Sequence, residues 1–427
     1  MGNASRHILI FKFIIAWERI HSFRIFNIVF QMLSMDQALP KQNRISSIDL
    51  LRGIIMVIMA LDHTRDFFHK DAMTGDPLNL TTTTPVLFFT RWITHFCAPV
   101  FVFLSGLSVY LTGLKRTKTN LGLFLLKRGI WLVVIDVVLM SLILTLNPGY
   151  NMIILSVLWA IGMSMLLLAL LIRLPYSLLL TIGLVICFGH NLLDTFTNNA
   201  TGSFKILLGI TNGSPALFPV TPSRLVLLSY SVLPWTGIMI LGYCFGKLFN
   251  PRINALSRVK TLYFSGSVLL LVFIVFRFVN NYGDPVPWSI QKNSLFTFLS
   301  FINVSKYPPS LSFASMTLGV ALIILALLEN AKGKITDFFI TYGRVPLFYF
   351  ILHFFILRFI GVIAFFTGDY PASPIRSIPF YFRPADFGYS LVIVYIIWIL
   401  VVLFTYPLCN WYGKYKTGHR QWWLSYL

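Results

Sequence analysis

Charge is what this sequence has least of. Only 11% of its 427 residues are Asp, Glu, Lys or Arg, against roughly 25% in a soluble globular domain, and that shortage excludes a water-soluble enzyme. Acid is scarcer still, with 14 Asp and Glu against 34 Lys and Arg, a net charge of +20. In a soluble chain that excess would point to nucleic acid. Here the basic residues stand at the ends of apolar blocks and read as topology signals, so no nucleic-acid partner is expected. Cysteine is sparse too. Cys97, Cys187, Cys244 and Cys409 lie far apart inside apolar segments and form no Cys-x-x-Cys pair, which argues against a disulfide framework and a zinc site, and no metal is expected. Internal repeats and low-complexity tracts are not visible.

Apolar residues are abundant: 57% of the chain, with a mean hydropathy of +0.77. Runs near twenty residues, the length that crosses a bilayer, predict ten spans at about 47–67, 86–112, 122–146, 151–172, 175–192, 224–248, 261–279, 311–329, 337–366 and 387–408. The expected fold is all-α, a polytopic integral membrane protein of about ten transmembrane helices in the cell membrane. With the first span starting inside, sixteen Lys and Arg fall in inner loops and eight in outer ones, which puts both termini in the cytoplasm. Residues 1–44 fit no span, because Lys12, Glu18, Arg19 and Arg24 interrupt their apolar run. They form either an interfacial amphipathic helix or a stretch upstream of a true start at Met35, and Arg6 argues against myristoylation of the Met-Gly start. A transmembrane domain over 45–410 and a cytoplasmic tail over 411–427 complete the expected organisation. The outer connections, about 193–223, 280–310 and 367–386, are long and rich in Pro, Asn, Gly, Ser and aromatics, which places recognition of something bulky outside.

The informative residues are ionisable groups at membrane depth, each costly there and usually turned to the protein interior. The first span holds Asp49, Arg52, Asp62 and His63. Arg52 and His63 are eleven residues apart, on a helix about 1100° of rotation and about 16 Å of rise, so both project from one face. The second span carries Arg91 and His95, one turn apart; the third has Lys127 and Arg128 at its inner end and Asp136 deeper; the ninth has Arg344 at its inner end and His353. His63, His95, Asp136 and His353 thus form a layer drawn from four spans. Structural readings stand beside these. Lys127 and Arg128 snorkel at the boundary or bind a ligand, Asp136 pairs with a neighbouring Arg or joins the catalytic layer, His353 is a hydrogen-bonded core histidine or a helper, and Asp49 complements a helix dipole.

These residues resemble a known family. Arg52-x10-His63, within Ile48-Asp49-Leu50-Leu51-Arg52-Gly53, is similar to the opening motif of the integral-membrane acyltransferases that O-acetylate bacterial surface polysaccharides. A closer resemblance is to bacterial relatives of heparan-alpha-glucosaminide N-acetyltransferase. It rests on Arg44 to Phe68, Phe88 to Leu111, Lys127-Arg128-Gly129-Ile130-Trp131, Val232 to Gly246, and Tyr342 to His353. The resemblance implies a membrane-embedded acyltransferase that takes an acyl group, typically acetyl from acetyl-CoA or another acyl-CoA in the cytoplasm, to a sugar or glycan acceptor on the other side. Carried onto this chain it makes His63 the essential histidine and Arg52 its partner. There is one departure: the histidine held catalytic in the lysosomal enzyme lies in the loop after this span, in a His-Ala-Ser-Trp-Asn-Gly-like stretch that is absent here, where His69 is the loop's one histidine.

On this reading His63, Asp62, His95 and Asp136 are the candidate catalytic residues, and Arg52, Lys127, Arg128 and Arg344 bind the CoA phosphates. His63 acts as a general base, with Asp62, Asp66 or Asp136 orienting its ring, or is itself acylated before transfer. The competing class is a secondary transporter or proton-coupled carrier, which also buries Asp and His; Pro99, Pro234 and Pro346 are its candidate helix breaks.

Overall fold

A computed structural model describes residues 45–199, 201–368, 370, 380–384, 386–419, 421 and 424. The expectations for residues 1–44 lie outside the described residues. All that follows concerns the compact unit Asn43–Tyr415.

The described residues are mostly helical. Helix α1 (Ser46–Phe68) leads to α2 (Pro85–Trp92), a 3₁₀ turn at Ile93–Phe96 and α3 (Cys97–Gly113). Next come α4 (Lys118–Val134), a π turn at Ile135–Met140, α5 (Ser141–Thr145), strand β1 (Met152–Leu155), α6 (Val157–Leu171) and α7 (Tyr176–Gly189). Short helices α8 (Asp194–Asn199) and α9 (Gly202–Asn212) precede a hairpin of β2 (Ala216–Thr221) and β3 (Arg224–Leu228), followed by α10 (Leu233–Phe245) and α11 (Ala255–Val279). The chain then forms α12 (Ser294–Ile302), α13 (Leu311–Leu327), α14 (Lys334–Arg344), α15 (Pro346–Thr367) and α16 (Leu391–Gly418). The starts are written locally: the side chains of Thr84, Thr117, Asn254, Asn293 and Ser310 each accept a backbone N–H of the turn they open.

Among the described residues, seven helices are long and apolar enough to cross a membrane, and Val157–Leu171 and Leu233–Phe249 are shorter apolar helices. Helix α1 is as long as these but carries Asp49, Arg52, Asp62, Arg65 and Asp66. The fold is therefore that of a helical polytopic membrane protein, and each of the ten expected spans contains a helix. Its apolar exterior agrees: Phe264 (71% exposed), Phe278 (69%), Val392 (66%) and Phe404 (63%) face outward on α11 and α16, positions that water would not tolerate in such number but lipid requires.

Helices meet where both lack a side chain. A Cβ on Gly53 of α1 would stand 1.8 Å from the carbonyl oxygen of Phe339 on α14, and one on Gly343 1.8 Å from that of Asp49. Gly106 with Gly242 brings α3 onto α10 in the same way. With no hydrophobic drive between helices in lipid, close backbone approach at small residues supplies the packing.

Two expected spans begin differently. Residues 152–155 and 224–228 are strands, not helix: β1 pairs parallel with β3, Leu155 opposite Leu228, and β2 pairs antiparallel with β3. A four-residue apolar run such as Met152-Ile153-Ile154-Leu155 has too few residues for its period to separate strand from helix. The span expected over 337–366 is two helices, because Pro346 has no N–H to donate and restricts Val345, which sits at φ −131°, ψ 50°. Pro99 acts similarly in the second span: it cannot donate to the carbonyl four residues back, that of His95, and the helix tightens to 3₁₀ there.

Candidate active site

A cavity of about 170 Å³ opens where α1, α2, α3, α5, α15 and both parallel strand ends converge. Helix α1 contributes Asp62 and His63 and, one turn on, Asp66. Because β1 and β3 run parallel in register, the residues that follow them, Ser156 and Ser229, emerge side by side and both line the cavity, joined at their base by the Ser229 N–H donating to the Leu155 carbonyl at 3.1 Å. Lys306, Tyr307 and Tyr230 complete the polar wall, and Phe350 and Phe354 of α15 the apolar one.

His63 is held by another histidine. Its Nδ1 lies 2.7 Å from Nε2 of His353, its ring stacks on Phe354 at 4.1 Å, and Nδ1 of His353 lies 2.9 Å from the carbonyl oxygen of Tyr349. A carbonyl only accepts, so Nδ1 of His353 carries the proton. Its Nε2, in the neutral ring, must then accept from Nδ1–H of His63, which leaves Nε2 of His63 with a free lone pair at a cavity wall. The side chain that fixes the ring is thus His353, buried on α15, rather than Asp62, Asp66 or Asp136.

Asp62 has other work. Arg65 donates to it at 2.9 Å, Nη1 of Arg91 reaches both its oxygens at 2.7 and 2.5 Å, and Arg65 also binds Asp66 at 2.5 Å. Arg65 binds it within α1, and Arg91 ties α1 to α2 beside His63. His95 donates through Nδ1 to the Arg91 carbonyl at 3.1 Å and packs on Phe313; it supports the turn carrying Arg91 and does not line the cavity. Asp136, fully buried at the π turn, finds no arginine. It accepts from Ser156 N at 2.6 Å, Ser156 Oγ at 2.5 Å and Trp159 N at 3.1 Å, capping α6 from a neighbouring element and fixing the cavity serine.

The basic candidates lie at another level. Arg52 donates to Asp49 at 2.8 Å, Ser108 Oγ at 3.0 Å and the Gly343 carbonyl at 3.2 Å, locking α1, α3 and α14 together. Lys127 and Arg128 are half-buried on α4, and Arg344 is exposed at the end of α14. Near the level of Ser108 a second cavity of about 220 Å³ is lined by Lys118, Lys247, Tyr110, Tyr176 and Tyr243. His69, the loop histidine, accepts from Asp71 N–H at 3.3 Å and does not line the first cavity. Sequence reasoning left Lys306, Tyr307, Tyr230, Ser156 and Ser229 unassigned; Pro-flanked Lys306 and the post-strand serines carry no local pattern that marks them.

A layer of charged and histidine side chains around a cavity inside an apolar helical bundle marks a functional membrane protein rather than an inert membrane subunit. The model of the catalytic region of heparan-alpha-glucosaminide N-acetyltransferase matches residues 44–278, more than half of the chain, and the protein belongs to that family: it is a membrane acetyltransferase. No curated protein matches the sequence.

Proposed function

We propose that the protein moves an acetyl group from cytoplasmic acyl-CoA to a hydroxyl or amine of a glycan on the outer side of the cell membrane, with His63 as general base. The observation that carries this reading is the chain from His63 through His353 to the Tyr349 carbonyl, which leaves the lone pair of His63 Nε2 at the cavity. The acceptor's proton passes to that nitrogen as its oxygen or nitrogen attacks the thioester carbonyl. Arg65 and Arg91 hold Asp62 so that the α1 turn bearing His63 keeps its place. Lys127, Arg128 and Arg344, with Lys118 and Lys247 of the second cavity, supply cations for the donor phosphates, while Arg52 sets the helices around them. His95 and Asp136 position Arg91 and Ser156.

Purified protein in liposomes, given labelled acetyl-CoA and a panel of cell-envelope sugars, tests this. Label should appear on a sugar, and His63→Ala should reduce transfer at least about 100-fold, the low end for general-base catalysis, while donor binding persists. Near-normal transfer by His63→Ala would remove the base; no labelled sugar from wild type would remove the reaction.

A further inference from the structure

The charged cluster around the first cavity holds three cations, Arg65, Arg91 and Lys306, against two carboxylates, Asp62 and Asp66. Asp62 is taken by Arg65 and Arg91, and Asp66 by Arg65. Lys306 stands in the cavity wall at 7% exposure, its ammonium 5.1 Å from the centre of the Tyr307 ring. A largely buried lysine that lines a cavity is placed to meet charge that arises there.

The loop presenting Lys306 is tightly held. Asp284 accepts from Ser305 N at 3.0 Å and Ser310 Oγ at 2.7 Å. Ser310 N donates to the Ser305 carbonyl at 3.0 Å, and Nε2 of His190 donates to the Pro309 carbonyl at 2.8 Å. Lys306–Pro309 is thereby an excursion pinned at both feet, with Tyr307 OH 3.4 Å from Tyr230 OH. It lies beyond the segment matched by the family.

We propose that Lys306 stabilises the oxyanion formed during transfer; this rests on the acyl-CoA reaction with His63 as base. As the acceptor atom bonds to the thioester carbon, its proton goes to Nε2 of His63 and the carbonyl pair moves onto oxygen, beside the Lys306 ammonium. Collapse restores the carbonyl, breaks the C–S bond, and the departing thiolate takes the proton from His63. A preorganised charge in a closed site meets the developing anion without reorganisation, and loss of one such donor typically costs about 10²–10³ in kcat.

Lys306→Met in the full chain, reconstituted as above, should therefore lower kcat about 10²–10³-fold with the KM of donor and acceptor changed little. Lys306→Cys should be equally slow, and treatment with 2-bromoethylamine, which rebuilds an amine at that position, should recover at least about a tenth of the lost rate; treated wild type sets the baseline, since Cys97 also lines the cavity. Two results overturn the proposal: an unchanged kcat with a raised acceptor KM, which would make Lys306 a binder of an anionic acceptor group, or folded Lys306→Cys protein that treatment leaves inactive. Failure of the His63 reading looks different, because His63→Ala would then keep its rate whatever Lys306→Met does.

Discussion

At the scale of single residues, the pair His63 and His353 divides labour by its surroundings. His353 is wholly buried and spends Nδ1 on the Tyr349 carbonyl, so the one proton it can accept is at the nitrogen facing His63, and it acts through that ring. Its role is separable by side-chain choice. His353→Gln keeps an acceptor within reach of Nδ1–H, whereas His353→Leu removes it and lets His63 take the tautomer whose Nε2 is already protonated. We expect kcat of the leucine variant to fall about tenfold to a hundredfold, the scale of losing an oriented base, with donor and acceptor KM unchanged and with the glutamine variant recovering most of the rate. Acidification should slow wild type and His353→Gln alike, because a proton on Nε2 removes the base. If leucine and glutamine variants unfold together and share one rate, His353 is a packing residue. His63 was legible in the sequence because its spacing from Arg52 is a property of one helix. Asp136 stands out in the sequence but its partner does not: an acid in an apolar run suggests an arginine, and only the fold shows that Ser156 and the Trp159 N–H satisfy it. Lys306 reads in sequence as an outer-loop cation, since nothing local records that Asp284 and His190 hold its loop against the cavity.

The elements meet at glycines, and the meeting of α1 with α14 sets the site. Gly53 and Gly343 let the two backbones touch, and Arg52, next to Gly53, donates to the carbonyl of that same Gly343 at 3.2 Å; the continuation of α1 past this contact is what brings His63 to α15. Gly53→Ala would place a methyl inside the van der Waals shell of the Phe339 carbonyl. Separating the helices should cost at least about 1–3 kcal/mol, seen as a lower unfolding midpoint in detergent and as lost transfer activity. Gly361 on α15 is the control, since a Cβ there would meet only Phe68 Cζ at 3.9 Å, and Gly361→Ala should leave both unchanged; equal effects at the two positions would disprove the crossing. Helices of this kind were legible from apolar run length, and Pro346 already marked where the ninth run breaks. The strands were not, because β1 and β3 earn their conformation from one another across seventy residues of sequence rather than from a local period.

For the molecule as a whole, the question that fixes mechanism is which cavity faces which side. A donor from the cytoplasm and an acceptor from outside require Arg52's end of α1 to be inner, as the sixteen-to-eight division of basic residues implies. Two of the expected spans are short, α6 and α10; the apolar stretch Leu233–Phe249 of α10 reaches about 25 Å as helix against a hydrocarbon core of about 30 Å. It crosses only with help from the hairpin before it, where Ser229 and Tyr230 already line the cavity. Of the helices between Thr201 and Lys332, the expected spans are α10, α11 and α13, and both residues are exposed. If all three cross, the two residues lie on opposite sides; if α10 enters and returns, they share a side. The native cysteines are all buried, so Thr201→Cys and Lys332→Cys can be placed in the otherwise unaltered chain. A membrane-impermeant maleimide applied to intact cells should label Thr201→Cys, while Lys332→Cys should react only after permeabilisation. Labelling of both from outside would make α10 a re-entrant helix and overturn the expected count of ten spans.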